Sequence, residues 1–257
     1  MRMSAWTPQI LYFLENASYN STYFRGLAAI VKEHTTPKDY LCDAGSGMSQ
    51  LSVELSPYVR RIDATDCSMN AVSYTSGRLA FLGIRNIAPI HANLLNYQPD
   101  ERYDLMVFSL SLSVEDAYSA AQGRCRGHFL VINKVHRLME EDRRKTDCRI
   151  AGSGGNNGDT RQLFLKQRPL VYDFQTHLDK LHAAGKNCTG KQISLRFDQP
   201  FKNLDEAHLF FRLFRNKSYP NGLSDGQLLK LLIETEDSPY PLRLPITRHL
   251  AIFSCFL

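Results

Sequence analysis

The chain predicts an α/β protein, a doubly wound and mostly parallel sheet with helices on both faces. Three observations lead there. Short apolar runs alternate with segments of helical periodicity between residues 39 and 133. One run, Leu41-Cys42, ends in the acid Asp43 and turns on Gly45 and Gly47. A second, Arg61-Ile62-Asp63-Ala64-Thr65-Asp66, also ends in a carboxylate, about 20 residues on, where such sheets hydrogen-bond a ribose diol.

The elements follow in order. Ile10, Leu11, Phe13 and Leu14 form one helical stripe, and Phe24, Leu27, Ala28 and Val31 a second, with the polar stretch Asn16-Ala17-Ser18-Tyr19-Asn20-Ser21 between them. Strands are expected near 39–43, 61–66, 86–91, 103–110 and 127–133, and helices near 47–57, 69–82 and 114–123. The runs Tyr103 to Leu110 and His128 to Asn133 are nearly continuous in apolar residues, as strands buried on both faces are. Glu140-Glu141-Asp142-Arg143-Arg144-Lys145 reads as a solvated helix face. The glycine-rich stretch 152–159 reads as a loop and lacks the Lys-Ser/Thr of a phosphate cradle. A helix near 172–184 stops at Gly185, residues 192–197 alternate like a strand, and 204–215 and 225–235 carry helical stripes. Ile246 to Leu257 closes the chain as an apolar strand. The segment of about 198–244 is expected as a helical insertion before that strand, within a single domain of 1–257.

Glycines at 45 and 47 let the backbone turn through positive φ and let a ligand approach closely. Gln50 occupies the place where a dinucleotide fingerprint needs its third glycine, and Asp43 repels a pyrophosphate. Both disfavour a nicotinamide dehydrogenase. Asp43 suits a ligand that carries an amine or a positive charge.

The order Asp43-x-Gly45-x-Gly47, then Asp66-Cys67-Ser68-Met69, then Ala92-Asn93-Leu94 resembles the class I S-adenosylmethionine-dependent methyltransferases over about residues 38–134. The resemblance implies a Rossmann-like sheet of seven strands, with N-terminal lid helices over 1–36, a cofactor-binding core over 37–134 and an acceptor-side half over 135–257. It implies S-adenosyl-L-methionine as cofactor. Asp43, Ala44, Gly45, Ser46 and Gly47 would wrap its amino acid end. Asp66 would bind the ribose hydroxyls, with Asp63 as competitor, and Cys67 would lie beside it. Asn93 stands where the family often has an Asp for the adenine amine, and its side-chain oxygen accepts the same bond. Leu94 and Ser109 complete the expected cofactor contacts. Ser49 replaces a third glycine found in many relatives. Tyr19 and Arg25 are expected as lid or substrate contacts, and Tyr23 and His136 as candidate catalytic groups, with His91 also at a strand end.

The acceptor is narrowed by what the chain lacks. The net charge of +5 is diffuse, with no dense Lys/Arg tract. The fourth strand ends Phe108-Ser109-Leu110-Ser111, without the proline turn of family members that methylate base amines or glutamine amides. A small-molecule methyl acceptor is favoured over nucleic acid. An RNA or protein methyltransferase and a non-catalytic S-adenosylmethionine-binding protein remain the alternatives. No His/Cys/carboxylate group has metal-ligand spacing. Cysteines 42, 67, 125, 148, 188 and 255 form no two-residue pair, which with the absence of a signal peptide or membrane-length apolar run points to the cytoplasm.

Overall fold

The computed structural model describes residues 6–94, 96–135, 170–171, 174–215, 219, 222–236 and 238–257. The segments 140–145 and 152–159 lie outside them.

Helix α1 (Pro8–Tyr19) starts where its sequence prescribes. The Thr7 hydroxyl accepts the Ile10 amide, and Pro8 sits in the first turn, where no donor is needed. After α2 (Tyr23–Lys32) the expected alternation appears: β1 (Tyr40–Ala44), α3 (Gln50–Leu55), β2 (Arg61–Asp66), α4 (Met69–Leu82), β3 (Ile87–His91), β4 (Tyr103–Ser109), α5 (Val114–Ala121) and β5 (Cys125–Val135). Ser68 caps the start of α4, and Gly83 ends it in the left-handed conformation. Beyond β5 come β6 (Leu170–Val171), α6 (Phe174–Ala183) and β7 (Asn187–Arg196). They are followed by β8 (Gln199–Phe201), α7 (Leu204–Arg215), α8 (Asp225–Leu229), β9 (Ile233–Glu234), β10 (Leu242–Leu244) and β11 (Thr247–Phe256).

The main sheet runs β3-β2-β1-β4-β5-β11-β7, with the short β6 paired to β5. Strands β1 to β5 are parallel, and β11 inserts antiparallel between β5 and β7. Strand order reverses between β1 and β4. A crevice therefore opens beyond their carboxyl ends, where ligands of such sheets bind.

Three apolar cores hold this arrangement. One face of the sheet packs Leu41, Ile62, Leu105, Leu130 and Ile252 against α2, α3 and α4. The other packs Cys42, Met106, Phe108, Phe129 and Phe253 against α5 and α6. The third lies off the sheet. Phe13 of α1 meets Phe210 at 5.4 Å, Phe214 at 6.2 Å and Phe201 at 6.3 Å. Helix α1 thus joins the insertion through Phe13 while Ala17 and Leu14 reach the sheet core, and α2 packs on the sheet.

The insertion differs from its expected all-helical form. The stripe over 225–235 is helical only to Leu229, and Ile233–Glu234 pairs with β10, which pairs with β8. A stripe of leucines marks which residues are buried. It does not choose between a helix and a short strand when a neighbouring strand offers backbone partners.

Asp63 is fully buried, and the hydroxyls of Tyr40 and Tyr103 both donate to its Oδ2. Arg61 donates to Oδ1 at 3.1 Å. Burial beside this carboxylate raises both tyrosine pKa values. Removing the acid strands two buried hydroxyls, so Asp63→Ala is expected to cost about 2–4 kcal/mol in urea unfolding. A loss under about 1 kcal/mol would show that the network contributes little.

Candidate functional site

The carboxyl ends of β1, β2 and β4 converge at the switch point. Gly45 and Ser46 donate their amides to the Thr65 carbonyl at 2.8 and 2.9 Å, which folds the loop after β1 back over β2. Gly45 holds φ +76° and Gly47 φ +57°. A Cβ at Gly45 would stand 2.6 Å from the Ser111 Cβ, and one at Gly47 would stand 2.7 Å from the Trp6 ring. Neither position tolerates a side chain. Ser49 also adopts φ +55°. Its fully buried hydroxyl donates to Ser46 Oγ at 3.0 Å and lies 3.2 Å from the Thr75 hydroxyl. Serine thus holds, by hydrogen bonds, a conformation that glycine takes without strain.

Asp66 is the junction of the site. Its Oδ2 accepts the Gly47 amide at 2.9 Å and its Oδ1 the Ser68 amide at 2.8 Å. Asp63 and Asp66 differ in their surroundings. Asp63 is consumed by Tyr40, Tyr103 and Arg61 within the sheet, and Asp66 stands at the strand tip beside the glycine bend.

Asp43 is 3% exposed and accepts the Ser52 hydroxyl at 2.6 Å. Burial pushes its pKa up to about 6; the Asp66 charge adds to the rise and the Ser52 bond opposes it. On the facing side, Leu110 takes φ +57° just past β4, with its amide on the Ile132 carbonyl at 2.8 Å. Ser49 and Leu110 are the non-glycine residues at positive φ among the described residues. Both flank the crevice, where backbone strain is characteristic of function. Ser111 follows, and its buried Oγ has no hydrogen-bond partner.

The other expected residues divide. Ala44 is buried at the β1 tip, Ser46 and Ser109 are half-buried, and Cys67 is exposed after Asp66. Asn93 is exposed; its carbonyl accepts the Asn96 and Tyr97 amides, both at 2.9 Å, and so turns the chain after β3. Leu94 packs toward the α5 side. A ring nitrogen of the exposed His91 lies 3.1 Å from the Cys67 carbonyl.

Tyr23 requires a correction. It is 1% exposed, 4.9 Å from the Phe197 ring centroid and 4.9 Å below the Arg248 guanidinium, in the core under α2. Its phenol packs and does not line an open cleft, because the helical stripe that carries it faces the sheet. Tyr19 is exposed, and its hydroxyl accepts a bond from Arg78 at 3.2 Å. Arg25 is exposed on α2, and His136 lies outside the described residues.

Two residues beside the glycine bend had no pattern to announce them, Trp6 and Arg78, whereas Ser111 follows the fourth strand, at the end of the sheet where ligands are expected. Arg78 is 8% exposed, donates to the Met48 carbonyl at 3.3 Å and to the Gln50 side chain, and pairs with Glu15 at 3.7 Å. It ties α1 to the loop after β1. Among the described residues no three His, Cys, Asp or Glu side chains gather as a metal site, and no helix is long and apolar enough to cross a membrane.

No protein-family model and no curated protein sequence matches the chain. Solved structures do. The YcgJ protein from Bacillus subtilis shares 12% identity at a TM-score of 0.53, over 90% of this chain and 98% of that one. A candidate methyltransferase from Bacillus halodurans C-125 shares 11% identity at a TM-score of 0.54, with the same coverage of each chain. These likenesses join the strand order and its one antiparallel strand next to the outer edge. The chain has the class I methyltransferase fold. Asp43, Gly45, Gly47 and Asp66 stand at the mouth of the crevice between β1 and β4.

Asp43 makes this geometry testable by pH. Its folded-state value of about 6 lies above the ordinary 3.8, so the folded chain holds this proton more tightly than the unfolded chain. The stabilisation is complete below about pH 4 and is lost as pH rises through about 6. Urea unfolding of wild type and Asp43→Asn should show the variant gaining about 1.4 kcal/mol on wild type between about pH 5 and pH 8. A difference that does not change with pH would place Asp43 in an ordinary, solvated environment.

Proposed function

We propose that this protein is an S-adenosylmethionine-dependent methyltransferase acting on a small-molecule acceptor. The observation that carries the reading is the pair of buried carboxylates, Asp43 and Asp66, on either side of a glycine bend at the switch point. The residues present fit the cofactor. The bend at Gly45 and Gly47 turns through positive φ, the Ser111 hydroxyl beside it is buried without a partner, and Asp66 stands at the strand tip. Asp66 would hold the ribose hydroxyls. The loop from Asp43 to Gly47 would take the amino acid end, where an ammonium favours ionised Asp43. Asn93 and Leu94 would border the adenine.

When bound, the cofactor supplies a methyl group activated by its sulfonium, so the demands on the protein are alignment and exclusion of water. Ser109, Leu110 and Ser111 border the crevice from the β4 side and would orient the acceptor. The strained turn at Leu110 holds Ser111 against Gly45 and sets the width of the opening. His136 remains the proposed base where the acceptor must lose a proton.

A small acceptor is supported by the same β4 turn, which carries no proline. Charge distribution agrees. Arg60 and Arg126 pair with Glu101, and Arg61 with Asp63, at the amino end of the sheet, away from the glycine bend. We place the protein in the cytoplasm.

Calorimetry with S-adenosylhomocysteine tests the reading. Micromolar binding is expected, roughly −8 kcal/mol, and Asp66→Ala should lose about 1.5–3 kcal/mol of it. Wild-type affinity in that variant would remove Asp66 from the site. Absence of binding to the wild-type chain would overturn the function.

A further inference from the structure

We infer that Trp6 is an aromatic wall of the nucleoside cleft, lying across Gly47 on the ribose side of Asp66. This inference rests on the proposed cofactor reading and assigns a binding residue that the glycine-acid pattern does not contain.

The indole stands where a Cβ on Gly47 would be, with its ring carbons 2.7 and 2.9 Å from that position. The Gly47 amide is the group that donates to Asp66 Oδ2. The ring is therefore one residue from the carboxylate proposed to hold the ribose. The Trp6 carbonyl accepts the Asn70 side-chain amide at 3.4 Å, which ties the same residue to the first turn of α4. Trp6 thus spans from the glycine bend to the start of α4, the two segments that Asp66 also joins. Half-buried, it keeps part of its surface in solvent, as a wall of an open cleft must.

Its tether distinguishes a wall from a plug that swings away. Thr7 caps α1 immediately after Trp6, and Pro8 stiffens the first turn. Phe13 anchors α1 in the insertion core, and Glu15 and Tyr19 bind the buried Arg78. A ring two residues ahead of a helix held at three points has little freedom to leave. Glycine at 47 is then explained twice: its positive φ makes the bend, and its missing Cβ admits the indole.

Trp6 is the one tryptophan of the chain, so its emission reports on this place alone. Wild-type protein is titrated with S-adenosylhomocysteine by calorimetry and by tryptophan fluorescence. The expected result is a saturable change in emission with the calorimetric midpoint. Trp6→Ala should weaken binding about tenfold, the size of one aromatic contact with a nucleoside, and Trp6→Phe by less, with both apo variants melting near wild type. Calorimetric binding with unchanged emission, or with unchanged Trp6→Ala affinity, would overturn the wall and leave the methyltransferase reading standing. Tighter binding by Trp6→Ala would also overturn it, since the ring would then compete for the site. Absence of calorimetric binding in wild type would overturn the cofactor reading itself. The fluorescence comparison uses wild-type protein, so it decides even where Trp6→Ala fails to fold.

Discussion

The crevice depends on one carboxylate. Asp66 joins the amide of Gly47 to the amide of Ser68, and so couples the bend after β1 to the start of α4. The Gly45 and Ser46 amides on the Thr65 carbonyl join the same two strand tips, and Asp66 extends that link to the start of α4. Charge-assisted bonds from backbone amides are short and directional, and the carboxylate that shapes the opening is also the one proposed to meet the ribose. The structural role falls on the atoms proposed for binding because the strand tip at the switch point is where loop amides converge on the carboxylate.

Around that junction the chain uses strain and burial unevenly. Ser49 and Leu110 hold left-handed conformations at the two loops facing the crevice, and both are secured by hydrogen bonds to neighbouring elements. Asp43 is buried with a raised pKa, whereas Asp63, equally deep, is matched by Tyr40, Tyr103 and Arg61. The contrast separates the two acids by chemistry. The fully partnered one organises the sheet, and the one that accepts the Ser52 hydroxyl stands beside the glycine bend.

The cover of the crevice comes from parts distant in sequence. Helix α1 packs through Phe13 into a core formed by β8, α7, α8 and β10, and its opposite side reaches Arg78 on α4. A residue at the amino end of α1 is thus positioned by contacts with segments as far away as Phe201 and Phe210. Tyr23, only four residues beyond α1, belongs to the sheet core instead. The two N-terminal helices do different work: α1 bridges the insertion core and the sheet core, and α2 covers the sheet.

The sequence by itself determined the α/β alternation, the bounds of β1 to β4 within a residue or so, and the glycine-acid loop with its second carboxylate. These depend on local chemistry: apolar runs of strand length, capping residues such as Thr7 and Ser68, and glycine where φ turns positive. Tertiary structure alone enclosed Asp63 among Tyr40, Tyr103 and Arg61 and set Asp66 against the glycine bend, withdrew Tyr23 from the surface, split the 225–235 stripe into a helix and a strand, and brought Trp6 and Ser111 to the two glycines. Each of those outcomes turns on which distant group occupies the space beside a residue, and periodicity along the chain reports only whether a residue is buried, not what it is buried against.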